Sequence, residues 1–356
     1  MAEKKRLQYF DMLKGLAIFL VVMGHVLTMC IREIDRTLLF KIIGQIHMPI
    51  FFFISGYFTY KITEGGKIVM PRLDKRFTQL VIPGILVGLI FMVYFPHSGL
   101  QSPFDMSFNG MWCTEWKNGY WFTITLFLII VLYSVWSKVL DFMKNTATRI
   151  GATAALWVVL IILDGYFENQ MWWKLLSLKL VVSFFPAFMT GVFAKASGPA
   201  FGQFVKQRGV YTTALLIAGF CFYILAYRWE FPGFHSLIFL VAEPIMHVCL
   251  AIVGIALVEP WSKMAFNETA SPLARNFASM WQYIGSKSLS IYLLHYFFLF
   301  PLPVLQEPLR GMALDMVPTL VVSVFVAALV VAVTLLVNAI ISRSPLLSKL
   351  LTGSSN

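Results

Sequence analysis

Apolar residues in this chain come in runs of about twenty, divided by short clusters of polar and basic residues. At 1.5 Å per residue such a run spans the hydrocarbon of a bilayer as a helix. Ten runs are predicted as spans: about 9–30, 38–60, 79–95, 119–137, 151–163, 175–194, 210–227, 237–258, 283–304 and 316–341. The fifth is short, with poorly marked ends. The pattern predicts an all-α, polytopic membrane helix bundle of about ten transmembrane helices, forming a single domain over residues 1–356.

Composition agrees. Of the 356 residues, 59% are hydrophobic and 13% charged, with a mean hydropathy of +0.77. A soluble domain covers its surface with about 25% charged residues, so an ordinary globular enzyme is excluded.

The net charge of +11 would suggest nucleic acid in a soluble chain, but its distribution is that of a membrane topology signal. With the N-terminus inside, the cytoplasmic segments hold 18 of the Lys and Arg residues, and the outer loops hold six: Arg32, Arg36, Lys117, Lys174, Arg228 and Arg310. Basic loops resist translocation, which puts both termini in the cytoplasm. Lys4, Lys5 and Arg6 precede the first run as in a signal peptide. No small-residue cleavage site follows before about Ile31, so the run reads as an uncleaved span.

The four cysteines, Cys30, Cys113, Cys221 and Cys249, have no metal-ligand spacing, and no metal is expected. Cys30 and Cys113 both fall at the outer surface, where a disulfide is chemically permitted. The longest cytoplasmic connection, Glu259 to Trp281, carries Trp261, Met264, Phe266, Leu273 and Phe277 and is expected to lie against the membrane face.

Polar groups inside spans are costly unless paired or facing water, so they mark where function sits. The first span holds Asp11, Lys14 and His25. Eleven steps of 100° from Lys14 to His25 come within about 20° of whole turns, so both side chains leave one face, and Asp11 falls within about 40° of it. The rise separates Lys14 from His25 by roughly 16 Å. Glu243 and His247, spaced i to i+4 beside Pro244, share another face. Counted by depth, His25, His47, Glu243, His247 and His295 occupy one layer from the middle of the membrane toward its outer side. Ser55-Gly56 lacks a nucleophile elbow and reads as a helix contact.

Four patches carry a family resemblance. Lys14 and His25 are separated by ten residues within a span that contains Asp11-Met-Leu-Lys-Gly-Leu-Ala. His47-Met-Pro-Ile-Phe-Phe-Phe-Ile-Ser-Gly-Tyr57, Gly119-Tyr-Trp-Phe-Thr and Ser288-Leu-Ser-Ile-Tyr-Leu-Leu-His295 follow in order. Together they resemble the membrane-bound acyltransferase family 3, which includes bacterial O-acyltransferases of surface polysaccharides, over nearly the whole chain. One position departs: where members often carry two arginines three apart, this chain has Arg76 and Gln79. Arg72 and Lys75 stand nearby.

The resemblance implies transfer of a short acyl group, acetyl most simply, from cytoplasmic acyl-coenzyme A to a hydroxyl of a carbohydrate or glycolipid. Acyl-coenzyme A would be a co-substrate rather than a tightly bound cofactor, and the enzyme would sit as a multi-pass protein in the bacterial inner membrane. The expected roles are His25 as general base, with His295 and Tyr292 as further catalytic groups. Lys14, Arg76, Arg72 and Lys287 would meet coenzyme A phosphates, and a pantetheine arm is about as long as the rise from Lys14 to His25. Asp11, His47, Glu243 and His247 would orient the acceptor or relay a proton. Ser290, Tyr292 and His295 are candidate oxyanion donors. Direct attack is favoured over an acyl-histidine intermediate, which stays open. The chain lacks room for the hydrolase-like periplasmic domain that some relatives carry, so it either works alone or borrows a partner. A proton-coupled secondary transporter is the alternative, with the same charged residues at its midplane.

Overall fold

The computed structural model describes residues 8–31, 38–97, 106–205, 207, 235–311 and 316–354. Every regular element among them is a helix, and the isolated bridge between Ile62 and Ile68 closes a short turn. A helix satisfies its own backbone, which lipid requires.

In chain order the helices are α1 (Gln8–His25), α2 (Leu38–Thr59), α3 (Leu73–Arg76), α4 (Ile82–His97), α5 (Phe108–Trp112), α6 (Trp121–Asp141), α7 (Thr146–Phe167), α8 (Met171–Leu175), α9 (Leu178–Ala196), α10 (His235–Ala265), α11 (Pro272–Ser286), α12 (Ser288–Leu294), α13 (Pro303–Gly311), α14 (Met316–Ile341) and α15 (Pro345–Thr352). A π-helical segment, Val26–Cys30, extends α1, and another, Phe77–Val81, joins α3 to α4.

Seven stretches of the described residues are long and apolar enough to cross a bilayer: Gln8–Cys30, Leu73–Tyr94, Trp121–Asp141, Thr146–Phe167, Leu178–Ala196, Glu243–Ala265 and Val317–Ile341. The second expected span is α2, and the seventh, 210–227, lies outside the described residues. The fifth proves longer than its apolar run. Asn145 caps α7 by accepting a hydrogen bond from the Ala147 amide (2.9 Å), so the helix starts among polar residues and reaches 22 residues.

The ninth expected span, 283–304, is interrupted. Instead of one helix, α11 stops at Ser286, α12 runs for seven residues and His295–Phe298 forms a 3₁₀ turn. The chain is extended at Leu299 before α13 begins at Pro303. Pro301 and Pro303 remove donors and push Phe300 and Leu302 out of helical conformation. The Glu259–Trp281 connection is likewise mostly helix. α10 continues through Ala265, and α11 docks its small-residue face on α1 while Leu273, Phe277, Met280 and Tyr283 stay exposed. Cys30 and Cys113 are both free thiols.

The chain divides into two compact units, the first made of Met1–Met48, Asp74–Ile124 and Pro272–Asn356, the second of Pro49–Leu73 and Thr125–Ser271. In the first, α1 is the central rod, contacted by α11, α12 and α14, while α15 lies on α4. A Cβ added at Gly15 would stand 2.1 Å from the Trp281 carbonyl oxygen, and one at Gly285 would stand 1.7 Å from that of Asp11. Only glycines let α1 and α11 approach this closely. In the second unit α9 lies between α7 and α10. Gly56 and Gly191 meet the Phe188 and Phe53 carbonyl oxygens, each 1.9 Å from an added Cβ, so Ser55-Gly56 marks a helix crossing.

Candidate active site

The first unit gathers the chemistry along α1. Because Gln8–His25 is regular α-helix, Lys14 and His25 leave the same side, and both remain half-buried while most neighbours are buried. Asp11, buried one turn earlier, forms an ion pair with Lys14 at 2.7 Å. Immediately after His25 the helix widens into its π segment, a distortion that frequently marks functional positions. The stretch holding Gln79 is also π-helical, and it starts directly after Arg76.

Four side chains converge on the His25 end of α1. The hydroxyl of Tyr296 lies 2.8 Å from Nε2 of His25. The His295 ring is centred 5.3 Å from that of His25, and His47 on α2 is a near neighbour of His25. His295 is fully buried, with Nδ1 2.9 Å from the Ile291 carbonyl oxygen, and its Nε2 has no hydrogen-bond partner. A carbonyl only accepts, so in the neutral ring Nδ1 carries the hydrogen and Nε2 is a bare acceptor. His47 does the same through Nδ1 and the Ile43 carbonyl at 2.5 Å. As a neutral group, then, His295 accepts hydrogen bonds at Nε2 rather than donating to an oxyanion.

A turn before α6 closes the site. Lys117, Asn118 and Gly119 have φ of 45°, 47° and 96° in succession, a left-handed run that only glycine adopts without strain. The turn holds because Lys117, fully buried, donates from Nζ to the Trp112 and Thr114 carbonyls, each at 3.0 Å. Burial pushes its ammonium down to about 8, against the opposing pull of Cys113 and Glu115.

Tyrosines lock this turn to α12 and the 3₁₀ turn. The Tyr292 hydroxyl donates to the Gly119 carbonyl and accepts from the Phe122 amide at 3.1 Å. Tyr120 donates to the Leu293 carbonyl at 3.2 Å. A Cβ on Gly119 would lie 1.7 Å from the Tyr296 hydroxyl. Tyr292 therefore serves as a clamp, with its hydroxyl committed to backbone groups.

Elsewhere in this unit Arg76 is half-buried at the close of α3, and Lys287 is half-buried at the start of α12. Arg72 is exposed and belongs to the second unit. Glu243 and His247 also belong to the second unit, 3.8 Å apart, with the His247 ring stacked on Phe184 at 5.2 Å between centroids. The first unit thus contains Asp11, Lys14, His25, His47, Arg76, Lys287, Tyr292 and His295. Tyr296, Gly119 and Lys117 gain roles that sequence reasoning did not give them. Lys-Asn-Gly was the available signal for the turn, whereas Tyr296 follows His295 as one of many aromatics. Among the described residues no group of three or more His, Cys, Asp or Glu side chains is arranged to hold a metal ion.

An all-helical, multi-pass membrane protein with clustered imidazoles at one end of a central helix defines the class. A family model described as an acyltransferase domain matches residues 7–338, and the chain belongs to that family, the acyltransferase family 3 that its four motifs resemble. It is also similar to Nodulation protein NolL of Sinorhizobium fredii (strain NBRC 101917 / NGR234), 40% identical over 82 residues. That match spans 21% of each protein, so the chain covers about a fifth of this relative. No solved structure matches the chain.

Proposed function

We propose that this acyltransferase moves a short acyl group, acetyl most simply, from acyl-coenzyme A to a hydroxyl of a carbohydrate or glycolipid, with His25 as general base. Ten spans, both termini in the cytoplasm and a bacterial inner-membrane location belong to the same reading. The observation that carries it is the shared face of α1. Lys14, which can meet phosphates, and a half-buried imidazole stand on one side of a single rod, separated by roughly the 16 Å that a pantetheine arm covers.

In this mechanism Lys14 and Arg76 bind the phosphates from the cytoplasmic side, and the thioester reaches His25. The acceptor oxygen attacks the thioester carbonyl as its proton passes to His25. The tetrahedral intermediate then expels the thiolate, which recovers the proton from His25, so the products are an ester and free coenzyme A. Nε2 lies 2.8 Å from the Tyr296 hydroxyl, so the tautomer of His25 decides which nitrogen takes the proton. Direct attack needs no covalent enzyme intermediate.

The test is release of free coenzyme A from acetyl-, succinyl- and longer acyl-coenzyme A by purified protein in nanodiscs, with cell-envelope glycans as acceptors. His25→Ala should stay folded and lose about 10²- to 10⁴-fold in rate. Glycan-independent inertness, with no acyl-coenzyme A raising the melting temperature, would abandon this reading for the transporter.

A further inference from the structure

A neutral imidazole has one N–H and one bare nitrogen, so what holds the first decides what the second can do. The two other histidines of the cluster place Nδ1 against a helix carbonyl, His47 on Ile43 and His295 on Ile291. The partner of His25 is instead the phenol of Tyr296, on Nε2 at 2.8 Å. We propose that Tyr296 is a positioning residue whose oxygen accepts the Nε2 hydrogen of His25, holding Nδ1 bare and aimed at the acceptor hydroxyl. This rests on the reading of His25 as the general base.

Three features support it. Tyr296 is fully buried, and its hydroxyl sits on the one residue of the facing turn that has no side chain, Gly119. Its ring is held among Phe91, Tyr120 and His295, with centroids at 5.9, 5.2 and 4.2 Å. A phenol so fixed keeps one geometry through a catalytic cycle, which is what a base-orienting group requires. The broken helix supplies the third feature. His295 and Tyr296 are neighbours in a 3₁₀ turn, and both rings lie near His25, at 5.3 and 4.8 Å between centroids.

The proton accounting is simple. The acceptor hydroxyl gives its proton to Nδ1, and the Nε2–H bond to Tyr296 becomes charge-assisted and stronger. Nδ1 then passes that proton to the departing thiolate, and the phenol keeps its own throughout. His25 is thus stabilised more as imidazolium, at the moment when charge develops, than as the resting base. The titratable groups facing it are His47 from α2, His295, and the phenol of Tyr296 itself.

The experiment has two arms. In the first, full-length protein carrying ¹⁵N-histidine is studied by NMR in nanodiscs at a pH where the ring is neutral, with His25→Gln identifying the resonances. A pyrrole-like Nε2 and a pyridine-like Nδ1 are expected; the reverse tautomer in the wild type overturns the proposal. In the second arm Tyr296→Phe, which keeps the ring, should lower kcat by about 10- to 100-fold with the KM for acyl-coenzyme A unchanged. The acid limb of its pH profile should move to lower pH, because the imidazolium has lost an acceptor. An unaltered kcat and acid limb would also overturn it. The wild-type spectrum decides even if Tyr296→Phe fails to fold. The expected tautomer in a protein that turns over no acyl donor would support the role of Tyr296 and overturn the acyl-transfer reading.

Discussion

The two ends of α1 solve different problems in different ways. At the Lys14 end the charged groups are partly accessible: Lys14 is half-buried with Asp11 as its partner, and Arg76 and Lys287 are half-buried at helix ends. Around His25, by contrast, the partners come from separate stretches of chain, are mostly buried and are knitted to backbone groups. Flexible charge suits a phosphate that must arrive and leave, since long basic side chains adapt to a mobile anion at little cost. Proton transfer needs fixed geometry, because small displacements of the reacting groups are expensive in rate. The difference teaches that substitutions at the two ends should fail in different ways, binding at one and chemistry at the other.

The sharpest break in that comparison is Gly119→Ala, at the rigid end. The added methyl would occupy the place of the Tyr296 hydroxyl, 1.7 Å away, on a backbone with φ of 96°. Strain and overpacking together should cost about 2–4 kcal/mol, read as a lowered melting temperature. Acyl transfer should fall at least as far as in Tyr296→Phe, because the whole clamp moves. A variant with wild-type melting temperature and rate would mean that the turn does not set the geometry of His25.

Legibility in the sequence follows the same division. The Lys14 end and the line of α1 were readable, because a regular helix converts residue spacing into direction by one fixed angle. That arithmetic placed Lys14 and His25 on one side, and the family motifs pointed to His295 and His47. The clamp was not readable, since it depends on contacts between residues about 170 to 270 apart, such as Tyr292 with Phe122 and Tyr296 with His25. The break in 283–304 was hidden for a related reason. Ile291–Leu294 is apolar enough to continue a span, and hydropathy does not register the two prolines that end it. Glu243 and His247 were readable as a pair from their i to i+4 spacing, but not their membership in the second unit.

The Lys14 end should show the complementary phenotype. Lys14→Gln removes a cation from the face of α1 and leaves Asp11 buried without it, while leaving His25 and its partners untouched. The KM for acyl-coenzyme A should rise about tenfold with kcat little changed, as expected when binding common to the ground and transition states is lost. Arg76→Gln should behave alike. The discriminating measurement repeats the assay with a truncated acyl-pantetheine donor that lacks the nucleotide phosphates, on which both variants should match wild type. A variant that is defective with both donors would place Lys14 in the chemistry and dissolve the contrast between the ends.

The smallest effect probes the rigid end through Lys117. Its ammonium is fully buried, and desolvation brings it down to about 8, whereas an unfolded lysine titrates near 10.4. Between those values the unfolded chain binds a proton that the folded one does not, so stability rises with pH across this window. Below about pH 8 both states are protonated, and the full cost of burying the charge is present; above about 10.4 both are neutral and no further change is expected. The shift bounds the gain at about 3 kcal/mol. The neutral amine keeps donating to the Trp112 and Thr114 carbonyls, so the turn survives the titration. Lys117→Met removes the ionisation and leaves those carbonyls unpaired, at a cost of about 1–3 kcal/mol. Melting temperatures of both proteins from pH 7 to 10 therefore separate the two contributions. The wild type should gain on Lys117→Met as pH rises through about 8, whereas parallel curves would show that Lys117 is not held charged and buried beneath Gly119.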